Sequence, residues 1–304
     1  METAAIKEIL KKVRQIEVRT RRMADSSLAG SYHSVFKGRG MNFDEVREYV
    51  PGDEIRTIDW NVTARTGVPH VKKFSEEREL TIMLLIDLSA SGSFGSGQQS
   101  KREVMAELAA VLAFSAVRNS DKVGLLLFSD FAELFIAPGK GRSHILRVIR
   151  EILFFQPQGK GTNIGGALDF FSRVTKRKCV TFLLSDFCLP GDFDDSLQEL
   201  QPKLQIAARR HDLIAVSVTD PRELKLPEAG WITLEDAETG EQVLLNTSDD
   251  WTRQAYATLA ADQRERFARS LRGSGIDLLQ LFTDQPYLAA LMGFFRSRSR
   301  RVAR

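Results

Sequence analysis

The sequence has few of the residues on which metal and redox enzymes commonly depend. Its 304 residues include two cysteines and four histidines. Cys179 and Cys188 have no neighbouring set of ligands that would complete a zinc site, and two thiols are too few for a disulfide framework. The histidines lie far apart, and no pair has the HExxH spacing of zinc proteases. These absences exclude zinc proteases of that class and disulfide-rich secreted domains.

Long apolar runs are also missing. No stretch approaches the roughly 20 apolar residues that are needed to cross a bilayer. Residues 1–22 carry charges throughout, without the apolar centre of a signal peptide. A chain with 43% hydrophobic and 27% charged residues can still bury a substantial core. We therefore expect a globular, cytoplasmic protein.

The net charge of +3 is unevenly distributed. Residues 6–22 carry a net charge of +5, and residues 296–304 carry another +5, which leaves −7 for the remainder. Basic ends of this kind can contact nucleic acid or anionic lipid. A solvated helix face and a basic tail are the more ordinary interpretation, and we favour it.

Periodicity divides the chain into three parts. Residues 1–78 predict an N-terminal helix over 4–23 and a small β-rich module with strands at 55–63 and 68–75. Residues 79–295 alternate strands with helices, which predicts an α/β domain with a mainly parallel central sheet covered by helices. Residues 296–304 form a basic C-terminal tail. The predicted strands of the α/β domain are 80–86, 123–128, 132–136, 180–184, 213–218 and 276–282, with a small hairpin at 232–234 and 242–245. Its predicted helices are 101–118, 142–155, 164–174, 196–209, 250–271 and 286–295.

Three loops beside the predicted strands and helices offer oxygen ligands. They are Asp87-Leu88-Ser89-Ala90-Ser91, Gly161-Thr162-Asn163 and Ser185-Asp186-Phe187. Ligands of open parallel sheets bind beyond the carboxyl ends of the strands, where Asp87 and Asp186 are expected. Oxygen ligands suit Mg²⁺ or Mn²⁺. Two carboxylates would leave an open coordination position that the Asp or Glu of a partner can fill.

The three motifs, in this order and these contexts, resemble the metal-ion-dependent adhesion site of von Willebrand factor A (VWA) domains, which have a Rossmann-like fold. The resemblance implies that Ser89, Ser91 and Thr162 bind the metal through their hydroxyls. It implies that Asp87 and Asp186 bind it directly or through water. All five positions are filled in this sequence.

A second stretch, from Arg47 to Trp60 and on to Ala64-Arg65, resembles the signature of the DUF58 family, bacterial proteins that carry this segment before a C-terminal VWA domain. Asp220-Pro221-Arg222-Glu223 fits the same family, and the resemblance covers roughly residues 30–290. It implies a protein-interaction adaptor or co-chaperone that works with a MoxR-type AAA+ ATPase or its client. The signature residues are Arg47, Tyr49, Pro51, Gly52, Asp53, Arg56, Asp59, Trp60 and Arg65.

Four charged residues of this signature, Asp53, Arg56, Asp59 and Arg65, flank Trp60. We interpret them as an ion-pair cluster that ties the N-terminal module to the VWA domain, with Trp60 as an anchor. A catalytic role for these charges is the less favoured interpretation.

Simpler interpretations of the motifs stay open. Asp87 and Asp186 can be paired or capping carboxylates, while Ser89 and Ser91 merely turn the backbone. The glycines around Lys160 do not satisfy GxxxxGK[ST], so a phosphate-binding loop is excluded. There is no GxSxG elbow, and the DxDx pattern of phosphatases is incomplete. Cys188 is interpreted as a small buried residue.

The sequence therefore predicts a non-enzymatic adaptor that binds Mg²⁺ or Mn²⁺ and has no catalytic residues and no small-molecule substrate. The rival is a metal-dependent hydrolase, which would need a general base. Asp130 and Asp169 are the nearest candidates for that base. Nucleic-acid binding through the basic ends is a third, weaker hypothesis.

Overall fold

The computed structural model describes residues 42–75 and 79–302, which form two compact units. The smaller unit is described over residues 42–75 and 79–80, and the larger over residues 81–302. The predicted helix over residues 4–23 lies outside the described residues, as do the last two residues of the predicted tail.

In the smaller unit, strand β1 (Asn42–Glu48) pairs antiparallel with β2 (His70–Ser75). Between them lie a 3₁₀ turn (Ile55–Thr57) and helix α1 (Trp60–Thr66). The strand predicted over residues 55–63 is therefore wrong.

Helix α1 forms because the signature contains its own start and stop signals. The carboxylate of Asp59 accepts hydrogen bonds from the backbone N–H groups of Asn61 and Val62, which would otherwise have no partner at the first turn. Gly67 ends the helix with φ at +76°, a conformation that glycine adopts without strain. Capping thus overrides the strand-like composition of this segment.

The larger unit follows the predicted alternation of strands and helices. Its strands are β3 (Thr81–Asp87), β4 (Lys122–Phe128), β5 (Ala132–Gly139), β6 (Val180–Ser185), β7 (Asp212–Thr219), β8 (Trp231–Glu235), β9 (Gln242–Asn246) and β10 (Asp277–Phe282). Its helices are α2 (Lys101–Arg118), α3 (Arg142–Phe154), α4 (Ile164–Val174), α5 (Phe193–Arg210), α6 (Asp250–Gly273) and α7 (Tyr287–Val302).

Six of these strands form one sheet in the order β10-β7-β6-β3-β4-β5. All neighbours are parallel except β5, which runs antiparallel to β4 as the other strand of a hairpin. The prediction of an α/β fold with a mainly parallel central sheet covered by helices is confirmed.

Continuous apolar runs explain why the central strands are buried. After its first residue every residue of β3 is buried, and all of β6 is buried. Alternate residues of a strand point to opposite faces. Met83 and Leu85 pack with α4, α5 and α6 in one apolar cluster. Leu84 points to the other face of the sheet and is fully buried as well.

The closing helix is longer than predicted. Residues 296–302 continue α7, whereas the sequence predicted a helix that ends at 295 and is followed by a tail. The guanidinium of Arg298 pairs with Asp212 and, at 3.0 Å, with Asp277, and Arg301 pairs with Asp277 at 2.8 Å. These carboxylates at the start of β7 and β10 fix the basic segment on the domain. Within the described part of the chain, no helix has both the length and the apolar character of a membrane span.

Candidate functional site

The site begins at the carboxyl end of β3, where Asp87 is 2% exposed. The parallel register pairs Ile86 with Leu184, which brings Asp87 level with Ser185 of β6. The hydroxyl of Ser185 donates to one carboxylate oxygen of Asp87 at 2.7 Å. The backbone N–H of Ser89 donates to the other oxygen at 2.9 Å. Both oxygens are therefore held in place by the ends of two adjacent strands.

The loop after β3 gathers two hydroxyls beside this carboxylate. The hydroxyl oxygens of Ser89 and Ser91 lie 3.1 Å apart, and Ser89 is buried. A 3₁₀ turn (Ala90–Ser93) shapes the loop. The sequence motif thus places two hydroxyls close together next to a buried acid.

The loop that carries Thr162 contacts this first loop. The backbone N–H of Ala90 donates to the carbonyl of Lys160 at 2.8 Å. Asn163 caps α4 by accepting from the N–H of Gly166 at 2.7 Å, and its own N–H donates to the carbonyl of Ser129. Thr162, which precedes this cap, is buried with 6% exposure.

Asp130 shapes the same loop and explains its glycines. Its carboxylate accepts from the backbone N–H groups of Lys160 and Gly161 at 2.9 and 3.1 Å. A Cβ atom at Gly159 or Gly161 would overlap that carboxylate. The glycines are therefore needed for the close approach of Asp130, which accounts for the motif that superficially resembles a phosphate-binding loop.

Asp186 follows β6 and pairs with a buried lysine. The ammonium of Lys101, which is fully buried at the start of α2, lies 2.5 Å from Asp186 and also contacts Glu223. The other oxygen of Asp186 accepts from the N–H of Cys188 at 3.1 Å. Burial alone would lower the pKa of Lys101, but the surrounding negative groups, with Asp186 first, raise it above its ordinary value. Lys101 is therefore a permanent cation beside Asp186.

Asp87 is poorly suited to carry its negative charge alone. Burial and, next, the charge of Asp186 raise its pKa from 3.8 to about 7, although the hydrogen bonds from Ser185 and Ser89 act in the opposite direction. A carboxylate in this state favours a proton or a cation next to it.

Glu238 approaches the site from the hairpin formed by β8 and β9. Its carboxylate accepts from both the hydroxyl and the backbone N–H of Thr162, at 2.6 and 3.1 Å. Burial raises the pKa of Glu238, and the nearby charge of Asp186 acts in the same direction. Glu238 therefore belongs to the same electrostatic neighbourhood as Asp186.

The residues present fit a hard divalent cation. The hydroxyls of Ser89, Ser91 and Thr162 and the carboxylate of Asp87 are oxygen donors of the type that Mg²⁺ and Mn²⁺ prefer. Four carboxylates lie around the ammonium of Lys101 or interact with the groups beside it. They are those of Asp87, Asp186, Glu223 and Glu238. The negative charge exceeds the positive charge that Lys101 supplies, which is the condition that a bound cation relieves.

A second group of metal-ligating type shares Asp186 and Glu223 with the candidate site. One ligand atom each of Asp186, Cys188 and Glu223 lie within 4.8 Å of one another. Lys101 contacts both carboxylates of this group, so an ammonium already offsets part of their charge. Burial of the thiol, followed by the charge of Asp186, raises the pKa of Cys188 well above its usual value, which disfavours the thiolate that metals bind. This group is therefore a weaker candidate than the Asp87 site.

Cys188 differs from the sequence interpretation. The sequence predicts a small buried residue. The residue as a whole is exposed, although its thiol lies within 4.8 Å of ligand atoms of Asp186 and Glu223 and is itself shielded from solvent. It follows Phe187, whose backbone has a positive φ of 56°. Cys179 is the buried cysteine, and burial raises the pKa of its thiol to about 11.

A cavity of about 250 Å³ adjoins the site. Asp186, Cys188 and Glu223 form one wall, and apolar side chains such as Phe193 and Phe267 line the rest. The cavity therefore borders Asp186 on the side of Cys188 and Glu223, and Ser89 is not among its lining residues.

The ion-pair cluster predicted around Trp60 is wrong, because its two acids pair with other basic residues than the predicted ones. Arg47 forms a bidentate pair with Asp53 at 2.7 and 2.8 Å, and Asp59 pairs with Lys72 at 3.4 Å besides capping α1. Trp60 is 67% exposed. Arg56 and Arg65 are exposed, and no described contact joins them to either acid. The anchoring role of the segment stays a prediction.

The two acids considered as a general base have other contacts. Asp130 holds two backbone N–H groups of the Lys160 loop, as described above. Asp169 is on α4, and its half-exposed carboxylate pairs with Lys203 at 3.2 Å. In the described part of the chain, neither carboxylate has a contact with the hydroxyls of the candidate site.

Sequence reasoning missed Lys101, Glu223 and Glu238. The sequence offered a signal for two of them, since Lys101 is the first residue of a predicted helix and Glu223 is the last residue of the family motif Asp220-Pro221-Arg222-Glu223. Nothing in the sequence pattern connects Glu238 to Thr162, because the two residues lie 76 positions apart and meet through tertiary folding. Their roles depend on contacts that a linear motif does not contain.

Comparison with known proteins gives one family and several distant folds. Residues 45–266 match the family described as "Protein of unknown function DUF58". The uncharacterized protein Rv1480 of Mycobacterium tuberculosis is 34% identical over 290 residues, covering 95% of this chain and 89% of that protein. The uncharacterized protein YeaD of Bacillus subtilis is 28% identical over 107 residues, covering 35% of this chain and 25% of that protein.

Two solved structures illustrate the structural likeness. The hypothetical protein BatB of Bacteroides thetaiotaomicron aligns with a TM-score of 0.42 and 14% identity, covering 73% of this chain and 99% of that one. The SpRpn10 VWA domain aligns with a TM-score of 0.38 and 10% identity, covering 70% and 94% of the two chains.

Proposed function

The chain belongs to the DUF58 family, and on that premise we propose that it is a non-enzymatic, metal-dependent protein-interaction adaptor. In this proposal the larger unit is a VWA-type domain with Mg²⁺ or Mn²⁺ as its cofactor. The observation that carries the proposal is the buried carboxylate of Asp87, which lies beside two hydroxyls in a site with more negative than positive charge.

Each residue of the predicted set has a distinct part in the proposal. Ser89, Ser91 and Thr162 supply neutral hydroxyl ligands, and Asp87 supplies a negative one. Asp186 acts through water or from a greater distance, because its two oxygens already accept from Lys101 and from the N–H of Cys188. When it is bound, the cation supplies a Lewis-acidic position to which a carboxylate can attach.

The partner in this proposal presents an Asp or Glu side chain. Hard cations such as Mg²⁺ prefer oxygen ligands, and a partner carboxylate is an oxygen ligand that can take a coordination position left open by the side chains of the site. A MoxR-type AAA+ ATPase or its client is the first partner to test, since the family resemblance suggests it. Nucleic acid and small-molecule substrates have no part in the proposal.

The rival hydrolase has less support from the described contacts. It would need a general base within hydrogen-bonding reach of a water at the site. Asp130 is engaged by two backbone N–H groups, and Asp169 pairs with Lys203 on the surface. Metal-dependent turnover of a phosphoester or a peptide by the pure protein would contradict the adaptor proposal.

Isothermal titration of Mg²⁺ and Mn²⁺ tests the metal site. We compare the wild type with Asp87→Asn, which keeps the side-chain shape and removes the charge. The matched control is Asp169→Asn, which removes a surface carboxylate that pairs with Lys203. We expect the wild type and the control to bind the metal alike, and Asp87→Asn to lose binding at least about 100-fold.

Equal binding by Asp87→Asn and the wild type would contradict the proposal, as would an absence of binding by all three proteins. Where binding follows expectation, the same three proteins serve in a pull-down with the candidate ATPase, in Mg²⁺ and in EDTA. Capture by the wild type in Mg²⁺, but not in EDTA or by Asp87→Asn, is then the expected result.

A further inference from the structure

The hairpin of β8 and β9 places one acidic side chain at the candidate metal site. The turn between the strands is fixed by its own contacts. The carboxylate of Asp236 accepts from the N–H of Glu238 at 2.8 Å, and the N–H of Gly240 donates to the carbonyl of Asp236 at 2.7 Å. Gly240 has φ at +75°, which closes the turn without strain. The tip that carries Glu238 is therefore a defined structure.

At this tip, Glu238 makes a two-point contact with Thr162. The carboxylate accepts from the Thr162 hydroxyl at 2.6 Å and from its N–H at 3.1 Å. A hydroxyl that donates its proton keeps its oxygen lone pairs available to another ligand. Thr162 can therefore hold Glu238 and bind a cation at the same time, so that the carboxylate lies next to the bound cation.

The remainder of the hairpin is loosely attached by comparison. The residues of β8 alternate between exposed and half-buried, and the first three residues of β9 are exposed. The base of the hairpin is held by Thr247, which is fully buried and whose hydroxyl donates to the carbonyl of Gly230 at 2.8 Å. A hairpin with a fixed base and few buried side chains can move at its tip when the contact with Thr162 is broken.

We propose that Glu238 is the resident carboxylate of the metal site and holds the coordination position that the acid of a partner must enter. This inference rests on the proposed metal-dependent function and deepens it. Partner binding then exchanges one carboxylate for another, and the tip of the β8–β9 hairpin moves away from Thr162. Only an acid presented in a geometry that displaces the tip binds, which makes the hairpin a filter against free carboxylates.

Mn²⁺ tests this inference, because its paramagnetism reports how many exchangeable waters it carries. The variant is Glu238→Gln, whose amide oxygen can still accept from one of the two donors of Thr162 but which is no longer an anionic ligand. The matched control is Glu241→Gln, an exposed carboxylate on the same hairpin. Acetate is the probe for a carboxylate of a partner. The readouts are Mn²⁺ affinity and water-proton relaxation, each with and without acetate.

We expect Mn²⁺ to bind to Glu238→Gln about 10-fold more weakly than to the wild type and the control. Water-proton relaxation per bound Mn²⁺ is expected to rise in this variant, as one water replaces the lost carboxylate. Acetate should lower that relaxation again in Glu238→Gln and have little effect on the wild type and Glu241→Gln.

Two other outcomes overturn the inference in different ways. If the wild type binds Mn²⁺ and Glu238→Gln shows the same affinity, relaxation and acetate response, Glu238 is not a ligand and only this inference fails. If the wild type binds no Mn²⁺, the proposed function fails together with the inference.

Discussion

Lys101 lies at the first position of α2, and its fully buried ammonium contacts the carboxylates of Asp186 and Glu223. A buried charge without a partner is far more unfavourable than a buried pair. Lys101 and the two acids therefore stabilise one another in the buried state. At the scale of single residues, this lysine is a structural support of the candidate site.

Replacement of Lys101 by Met is expected to destabilise the protein by about 3–5 kcal/mol, because it leaves buried carboxylates without their cation. Lys203→Met is the matched control, since Lys203 pairs with the half-exposed Asp169 and its loss should cost less than about 1 kcal/mol. Urea unfolding at pH 7 measures both. The double variant Lys101→Met/Asp186→Asn should recover part of the loss, and equal losses in the two single variants would contradict the assignment.

Asp87 gives the site a defined pH dependence. Its pKa is about 7 in the folded protein, whereas the ordinary value of 3.8 applies to the unfolded chain. Between about pH 4 and pH 7 the folded state therefore holds a proton that the unfolded state has released. The free energy of unfolding then falls as the pH rises through this window, and the loss is complete above pH 7.

Asp87→Asn removes this dependence. We expect the melting temperature of the variant, relative to the wild type, to be higher at pH 8 than at pH 5 by about 5 °C or more in EDTA. Saturating Mg²⁺ should reduce the difference at pH 8, because a cation replaces the proton beside Asp87. Scanning fluorimetry at the two pH values measures it. A difference that does not change with pH would show that Asp87 ionises normally.

Among the elements, the β8–β9 hairpin and the central strands differ most in burial. Every residue of β6 is buried, whereas β8 has exposed residues at both ends, including Trp231 with 67% exposure. A two-stranded hairpin is only marginally stable by itself. The β8–β9 hairpin is therefore supported mainly by the contacts at its tip and at its base.

Hydrogen exchange is expected to follow this difference. The amides of β8 and β9 should exchange at least about 100-fold faster than those of β3 and β6, since local opening of the hairpin exposes little apolar surface. Glu238→Gln should not slow this exchange, and Thr162→Val, which removes one of the two hydrogen bonds at the tip, should accelerate it further. Mass spectrometry of peptides from the two regions measures the rates. Equal protection of the hairpin and the sheet would contradict this description.

For the whole molecule, a metal at the carboxyl edge of the sheet would connect several elements. Asp87 follows β3, Thr162 precedes α4 and Asp186 follows β6. A ligand that binds only the folded state stabilises it in proportion to the logarithm of its concentration. Metal binding in this proposal is therefore also a stability effect on the larger unit.

Mg²⁺ at about 100 times its dissociation constant should stabilise the wild type by about 2.7 kcal/mol, or roughly 5–10 °C in melting temperature. Asp87→Asn should show no shift, and Asp169→Asn should shift as the wild type does. A calorimetric scan in Mg²⁺ and in EDTA measures this. An identical shift in all three proteins would place the metal elsewhere.

Much of the fold was predictable from local pattern. The apolar runs of β3, β4 and β6 and the helices between them identify a mainly parallel sheet, because burial on both faces requires such runs. The strand predicted over 55–63 failed because Asp59 and Gly67 cap a helix there, and capping is a local effect that composition obscures. The closing helix was predicted too short, since the carboxylates that hold Arg298 lie far away in the sequence.

The sequence by itself determined the α/β architecture, the family and the candidate ligands Asp87, Ser89, Ser91, Thr162 and Asp186, because apolar periodicity and contiguous motifs are local properties of a chain. Only the tertiary structure decided which charges surround those ligands. Lys101 meets Asp186 across 85 positions, and Glu238 meets Thr162 across 76. Such meetings depend on strand order, register and the position of a hairpin, and electrostatic interactions in a site act through space between groups that no sequence spacing relates.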